Sequence, residues 1–257
     1  PHYSYAALAA LATLVVILGS HEMSLLIEKS TGAKTLLPFW VPSLLIGLQW
    51  LELHFFPNYA ITDLGFILLF ILTMICEIHY GATDSFAGTI SRIGTSFLLL
   101  LYPGYFTTFI LRLTAIPEIN VSFHLILFFL FVFANDIFAY VFGMLLGKSN
   151  RGIFKVSPNK SLAGLIGGTI SAVALGIGLT LAFPSYTPLS PLRVGVIGLC
   201  VSLAATAGDL IESAFKRSAQ VKDSGMVIPG RGGMLDSLDS LLTSAPVFLL
   251  LLSMSLK

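Results

Sequence analysis

Residues 128–149 read FFLFVFANDIFAYVFGMLLGKS, an almost continuous apolar run that is closed by a lysine and a serine. A helix of about 20 residues crosses a hydrocarbon core of about 30 Å, and the run has that length. Its apolar character is continuous instead of alternating, which favours a membrane helix over a strand of a membrane barrel. The run therefore predicts a transmembrane helix.

Similar runs recur along the whole chain. Its 257 residues are 56% hydrophobic and 11% charged, and the mean hydropathy is +0.91, far from the composition of soluble domains. We predict an all-α fold: a polytopic transmembrane helical bundle that forms a single integral membrane domain over residues 1–257, with no soluble domain. The eight predicted spans are Tyr5–Leu26, Leu36–Leu53, Ala60–Tyr80, Gly94–Leu113, Phe123–Gly147, Leu162–Phe183, Leu192–Ser213 and Met234–Met254. The first residue is proline, and a further helix before it would make nine spans.

The basic residues predict the orientation. With eight spans, all but three of the 14 lysines and arginines fall on one side, and the exceptions are Arg112, Arg193 and Lys257. Cytoplasmic loops retain such residues, so we expect the basic side in the cytoplasm and both chain ends outside. The expected location is the bacterial inner membrane. A basic cytoplasmic face suits anionic headgroups or nucleotides, and we expect no nucleic acid partner.

The first four spans carry little chemistry. Their charged and titratable side chains lie near predicted helix ends, where contact with lipid headgroups is common. We interpret these residues as structural: Glu22, Glu52, Glu77 and His79.

The fifth span differs because Asn135 and Asp136 lie about 16 Å from its cytoplasmic end, by helix rise. A carboxylate at that depth costs about 3 kcal/mol even on insertion scales, so we expect a cavity or a partner. Tyr140 lies one turn later and has the spacing to donate a hydrogen bond to Asp136. A polar clasp between helices is the structural alternative.

The loop KSNRGIFKVSPNKS, residues 148–161, precedes a helix rich in small residues. Ser157 before Pro158 indicates the helix start, and a helix N-terminus beside Lys160 can hold phosphate through backbone N–H groups. Gly164 and Gly168 form a GxxxG pair, which indicates close helix packing. A basic loop without a ligand is the alternative.

Acidic residues gather where the last two spans meet the cytoplasm. Asp209 and Ser213 share a helix face with Lys216, and Asp236 and Asp239 share a face at the start of the final helix. Mg²⁺ binds such hard oxygen ligands together with phosphate and water. These acids, beside basic residues of the same segment, therefore predict a site for a divalent cation and phosphate.

Between those helices lies IPGRGGML, residues 228–235. Gly230, Gly232 and Gly233 tolerate positive φ and can expose consecutive N–H groups as a nest for an anion. The alternative is a flexible hairpin.

The residues from Ser213 to Asp239 follow the pattern SAFKRxxxxKDxGxxIPGxGGxxDxxD. This pattern resembles the signature of phosphatidate cytidylyltransferases, also called CDP-diacylglycerol synthases. The segments GDLIESAFKR and SPNKSLAGLIGG, and Asp136 with Tyr140, resemble other family segments in the same order. The resemblance makes residues 122–257 the catalytic helices, whereas residues 1–121 match only as membrane helices.

The resemblance implies that CTP and phosphatidic acid give CDP-diacylglycerol and pyrophosphate, with Mg²⁺ and room for a second cation such as K⁺. Membrane lipids are the expected partners, and a homodimer is left open. The implied metal ligands are Asp209, Asp236 and Asp239, which are also catalytic together with Lys216 and Lys222. The implied substrate-binding residues are Asp136, Tyr140, Ser157, Lys160, Ser213, Arg217, Asp223, Arg231, Gly232 and Gly233.

The sequence departs from the family pattern at Arg231, usually histidine, at Ser237, usually arginine, and at Ala163, usually glutamate. Loss of an arginine removes a bidentate phosphate donor. Three alternatives therefore stay open: a different lipid phosphate as substrate, a catalytically weakened homologue, and an ion or solute transporter suggested by Asp136 and the helix count.

Overall fold

The computed structural model describes residues 5–230 and 232–256. In these residues every regular element is helical, apart from two isolated bridges, so the all-α prediction is confirmed. The α-helices of these residues are α1 (Ala6–Thr31), α2 (Leu44–Phe55), α3 (Ile61–Tyr80), α4 (Thr89–Leu99), α5 (Phe106–Arg112), α6 (Val121–Leu146), α7 (Leu162–Ala182), α8 (Pro191–Ser218) and α9 (Leu235–Leu256).

Long apolar helices dominate the fold. Within the described ranges, seven helical stretches are long and apolar enough to cross a membrane, which confirms a polytopic membrane protein. One of them, Thr89–Ala115, joins α4 and α5 through a π-helical segment, Leu100–Tyr105. The other six contain α1, α3, α6, α7, α8 and α9.

The second predicted span, Leu36–Leu53, is not a full helix. A short 3-10 helix, Val41–Ser43, leads there into α2, whose 12 residues extend about 18 Å, too short to cross the membrane alone. Pro38 and Pro42 account for the difference, because proline lacks an N–H group and disfavours helix at the preceding residue. The prediction of a complete helix at this position is therefore wrong.

The α2 helix nevertheless packs against α1. Ile46 of α2 packs with Ala9 and Val16 from the first half of α1. The N–H group of Leu36, in the non-helical part, donates to Ser96 Oγ at 2.9 Å. Non-helical backbone at membrane depth requires such partners within the protein. Residues 36–55 thus pack along α1 without forming the continuous helix that was predicted.

The helices cluster into two compact units. Unit 1 comprises the residues up to Arg112 together with Phe215–Ser237, and unit 2 comprises Leu113–Ala214 and the residues from Leu238 onward. The segment 215–237, which carries most of the signature pattern, therefore clusters with the N-terminal helices. The expected single membrane domain stays a prediction.

Small residues set the close packing of α6 against α7 in unit 2. A Cβ atom added at Gly164 would lie 2.6 Å from the Ala139 carbonyl oxygen, and one at Gly168 would lie 2.6 Å from that of Asn135. Neither position has room for a side chain, so the predicted packing role of the GxxxG pair is confirmed. The contact brings the α6 backbone at Asn135 and Ala139 against α7.

Candidate functional site

An ion pair between α8 and the segment before α7 is the centre of the site in unit 2. The Lys160 Nζ atom lies 2.5 Å from Asp209 Oδ2. Asp136 of α6 lies near enough to both residues, and to the Ser240 side chain of α9, to interact with them electrostatically. The structure thus brings together Asp136, Lys160 and Asp209, which are far apart in the sequence.

Asp239 lies on the helix next to Asp209. A Cβ atom added at Gly208 would lie 2.4 Å from the Asp239 carbonyl oxygen, so the α8 and α9 backbones touch at this level. Thr243 Oγ1 donates to the Ala204 carbonyl at 3.0 Å on the same contact surface. The Asp239 residue is 9% exposed. Two of the three predicted metal ligands therefore occupy neighbouring positions on adjacent helices.

Three further polar residues of the predicted site lie in unit 2: Asn135, Ser213 and Tyr140. Asn135 is buried, and its Nδ2 atom lies 3.3 Å from both Asp136 Oδ1 and Thr206 Oγ1. Ser213 Oγ lies 3.5 Å from Asp209 Oδ1, as their shared helix face predicts. Tyr140 is 68% exposed and makes no hydrogen bond to Asp136 in the described part of the chain. The predicted Tyr140–Asp136 bond is wrong because the tyrosine ring stays at the helix surface.

Asp236 has a different environment in unit 1. Lys216 Nζ lies 2.6 Å from its Oδ1 atom, and both side chains are largely shielded. Its Oδ2 atom accepts from the Ser224 N–H at 2.8 Å, the Ser224 hydroxyl at 3.0 Å and the Gly233 N–H at 2.8 Å. Three contacts thus converge on Oδ2, and the Lys216 ammonium occupies Oδ1. A cation at Asp236 would therefore have to displace Lys216.

The glycine segment does not form the predicted anion nest. Gly230 and Gly232 do have positive φ, at 77° and 110°. However, the Gly232 N–H donates to the Ile228 carbonyl at 3.1 Å, and the Gly233 N–H donates to Asp236. These N–H groups are used within the loop, and the assignment of Gly232 and Gly233 to phosphate stays a prediction. Arg231 lies outside the described residues.

The N–H groups at the start of α7 also have hydrogen-bond partners within the chain. Ser161 is the N-cap, which agrees with the predicted span Leu162–Phe183 and lies four positions after the helix entry indicated by Ser157. The first three N–H groups of the helix donate to Ser161 Oγ, to Asn150 Oδ1 and to the Asn150 carbonyl, at 3.0 to 3.2 Å. The predictions of a helix entry at Ser157 and of phosphate held by these N–H groups are therefore wrong. Lys160, directly before the cap, is paired with Asp209, and its assignment to phosphate stays a prediction.

The loop of unit 1 lines an open cavity of about 420 Å³. Lys222 and Asp223 line it together with Gly225, Met226, Ile228 and Gly232. Lys222, Asp223 and Arg217 are exposed. The side chains that can reach a ligand here are thus a lysine and an aspartate, beside backbone and apolar surface.

Glu22 was expected at a helix end in contact with headgroups, and this expectation is wrong. It is 2% exposed, and α1 continues beyond it to Thr31. Its carboxylate accepts from the N–H groups of Met234 and Leu235 and from the Ser224 hydroxyl. A carboxylate inside an otherwise apolar helix was the signal that the sequence offered.

The carboxylates are the groups of this site that could bind a cation. No group of three or more His, Cys, Asp or Glu side chains is arranged to hold a metal among residues 5–230 and 232–256. Mg²⁺ needs only one or two carboxylates when phosphate oxygens and water complete its shell. Asp209, which is paired with Lys160, and Asp239 supply two carboxylates on adjacent helices, whereas Asp236 is paired with Lys216 and bonded to the loop. Binding of Mg²⁺ at Asp209 and Asp239 stays a prediction.

Known proteins are similar to this chain over most of its length. Residues 2–255 match the model of the Cytidylyltransferase family. The Escherichia coli (strain K12) protein named Uncharacterized protein YnbB is 36% identical over 184 residues, which cover 70% of this chain and 59% of that protein. The phosphatidate cytidylyltransferase of Staphylococcus haemolyticus is 40% identical over 130 residues, 50% of this chain and 49% of the relative.

The phosphatidate cytidylyltransferase of Staphylococcus aureus (strain COL) is similar in the same way, with 40% identity over 133 residues, 51% of this chain and 50% of the relative. The chain thus spans about half to three fifths of the length of these curated relatives. The family match covers residues of both compact units, well beyond the signature pattern from Ser213 to Asp239. The resemblance predicted from that pattern is confirmed: the chain belongs to the cytidylyltransferase family.

Proposed function

We propose that the protein transfers a cytidylyl group from CTP to phosphatidic acid, which gives CDP-diacylglycerol and pyrophosphate for phospholipid synthesis. The observation that carries the proposal is the cluster of Asp136, Lys160 and Asp209, with Asp239 on the adjacent helix. Relatives named phosphatidate cytidylyltransferase support the choice of substrates. Family membership favours this reaction over the transporter alternative.

The reaction requires no protein nucleophile. An oxygen of the lipid phosphate attacks the α-phosphorus of CTP, the new P–O bond forms, and the bond to the β-phosphate breaks as pyrophosphate leaves. Catalysis of phosphoryl and nucleotidyl transfer relies mainly on positioning and on stabilisation of charge. The protein must therefore supply fixed cations next to anionic oxygens.

The lysines provide those cations. Lys160 is held by Asp209 and Lys216 by Asp236, so each ammonium group has a fixed position. The N–H groups at the start of α7 and those of Gly232 and Gly233 are already used within the chain, so we assign phosphate binding to side chains. Lys222 and Arg217 are exposed, and Arg217 has the planar fork that suits bidentate phosphate binding.

Asp209 and Asp239 are the residues that would hold Mg²⁺, which would neutralise charge on the nucleotide oxygens and the departing pyrophosphate. A second cation such as K⁺ and a homodimer belong to the proposal as well. The proposed location is the bacterial inner membrane with the site open to the cytoplasm. There the acyl chains stay in lipid while the headgroup reaches the acidic cluster.

The direct test is cytidylyl transfer by the purified protein. Labelled CTP and phosphatidic acid should yield a chloroform-soluble product that depends on Mg²⁺, and Asp239→Asn should lower its rate at least about 100-fold. Glu118→Gln is the matched control, because Glu118 is an exposed acid outside the cluster, and its rate should equal that of the wild type. A wild-type protein that makes no lipid-soluble product with any cation would overturn the proposal.

A second candidate keeps the reaction and changes the lipid. Ser237, which stands where the family pattern usually has arginine, lies with its hydroxyl 3.3 Å from the Gly233 carbonyl, where it donates a hydrogen bond. A hydroxyl engaged with backbone cannot replace a bidentate phosphate donor. An isoprenoid ether phosphate offered in parallel with phosphatidic acid distinguishes the two, since the preferred lipid gives the higher kcat/KM.

A further inference from the structure

Glu22 connects α1 to the start of α9 within unit 1. Its Oε1 atom accepts from the Met234 N–H at 2.9 Å, and its Oε2 atom accepts from the Leu235 N–H at 2.8 Å. The first N–H groups of a helix have no partner within the helix and carry partial positive charge. Glu22 therefore caps α9 although it lies more than 200 residues earlier in the chain.

The loop before α9 is shaped around this carboxylate. A Cβ atom added at Gly225 would lie 2.4 Å from Glu22 Oε1, and one added at Gly233 would lie 2.4 Å from Glu22 Oε2. Two glycines of the signature pattern thus leave the space that the buried acid occupies. The glycines serve the approach of Glu22 to the loop, a role that the sequence pattern alone did not indicate.

A continuous set of contacts leads from Glu22 to a candidate phosphate donor. The Ser224 hydroxyl lies 2.9 Å from Glu22 Oε2 and 3.0 Å from Asp236 Oδ2, and the other oxygen of Asp236 holds Lys216. A hydroxyl carries one proton and can donate to only one carboxylate at a time. Ser224 thus links the Glu22 carboxylate to the carboxylate that holds the Lys216 ammonium.

The Glu22 carboxylate also lies next to a residue that lines the cavity of the loop. Gly225, which contacts Glu22, lines that cavity with Lys222 and Asp223. A shift of the Glu22 carboxylate would move the wall of the cavity as well as the start of α9.

We propose that Glu22 is a positioning residue for the nucleotide, which acts through Ser224 and Asp236 and fixes Lys216 and Lys222 for the phosphates of CTP. The inference rests on the proposed cytidylyl transfer. It gives the first helix, which matches the family signature only as a membrane helix, a part in the binding of CTP by unit 1. Glu22 itself contacts no substrate in this proposal.

The test compares Glu22→Gln with Glu28→Gln, an exposed acid on the same helix. In Glu22→Gln an amide N–H₂ group replaces one acceptor, so one of the capping N–H groups loses its partner. We expect KM for CTP, and the dissociation constant of CTP measured by calorimetry, to rise about 10-fold while kcat changes less. Glu28→Gln should leave both constants unchanged.

A merely structural role would reduce the yield or the melting temperature and leave KM and kcat of the folded protein unchanged, and that result would overturn the inference. Ser224→Ala is the second variant, because it removes the bridging hydroxyl and keeps both capping bonds of Glu22. It should raise KM for CTP about 3-fold, and it decides the question if Glu22→Gln does not fold. Failure of the proposed function is distinct, since the wild type would then neither bind CTP nor form product.

Discussion

At the scale of single residues, the two aspartate–lysine pairs have different surroundings. Asp209 pairs with Lys160 at a partly open position, where its side chain is 36% exposed. Asp236 pairs with Lys216 where the side chains are only 8% and 15% exposed, and it also anchors Ser224 and Gly233. The first carboxylate is therefore accessible to a ligand, and the second holds the loop together.

Asp236→Asn should therefore destabilise the protein as well as lower its activity. Loss of one partner from a buried ion pair costs about 3 kcal/mol. Thermal unfolding of the detergent-solubilised variant measures this loss. Asp223→Asn, an exposed aspartate of the same loop, is the control and should unfold like the wild type. Equal melting temperatures for both variants would contradict the structural role of Asp236.

At the scale of elements, the contact between α8 and α9 in unit 2 determines the spacing of the acids. Gly208 lies where α8 touches α9, and an added Cβ atom would lie 2.4 Å from the Asp239 carbonyl oxygen and 2.1 Å from Thr243 Oγ1. The backbone of α9 cannot move aside without carrying Asp239 with it. The glycine directly before Asp209 thus sets how closely the two carboxylates approach.

Gly208→Ala should separate the helices and lower cytidylyl transfer about 100-fold, since displacements of about 1 Å cost that much when catalysis depends on positioning. The matched control is Gly178→Ala in α7, where an added Cβ atom meets nothing within 4 Å. That control should retain its activity and gain helix stability of up to about 1 kcal/mol. Full activity in Gly208→Ala would show that the spacing of Asp209 and Asp239 is not critical.

At the scale of the whole molecule, the arrangement of passes across the membrane follows from the long helices. Glu118 precedes α6 and Lys155 follows it, so a membrane-spanning α6 puts them on opposite sides. The loop that contains Lys155 is basic, and basic loops stay in the cytoplasm. The proposed site around Lys160 belongs to that same loop.

Single cysteines in a chain whose Cys76 and Cys200 have been replaced by serine test this arrangement. A membrane-impermeant thiol reagent added to intact cells should modify a cysteine at position 118 and leave one at position 155 unmodified until the membrane is opened. The physical reason is the excess of lysine and arginine in the loop after α6. Reaction at position 155 in intact cells would reverse the orientation and exclude a cytoplasmic site.

The local sequence was sufficient to predict the class of fold and the family. Continuous apolar runs predicted the membrane helices because hydropathy acts on each segment separately, and only the run interrupted by Pro38 and Pro42 was assigned a helix that is too long. The pattern from Ser213 to Asp239 predicted the family because its residues are neighbours in the chain. The GxxxG pair at Gly164 and Gly168 predicted close packing for the same reason.

Only the tertiary structure decided which groups meet. The helix-start and glycine N–H groups predicted for phosphate are bonded to Asn150, Ser161, Asp236 and Ile228, and Tyr140 stays at the surface. Glu22 caps a helix that lies more than 200 residues away. Hydrogen bonds and ion pairs form between groups that folding brings within about 3 Å of each other, and spacing along the chain does not encode that proximity. The sequence by itself determined the membrane helices and the family, and the fold determined the partners of the acids and of the N–H groups.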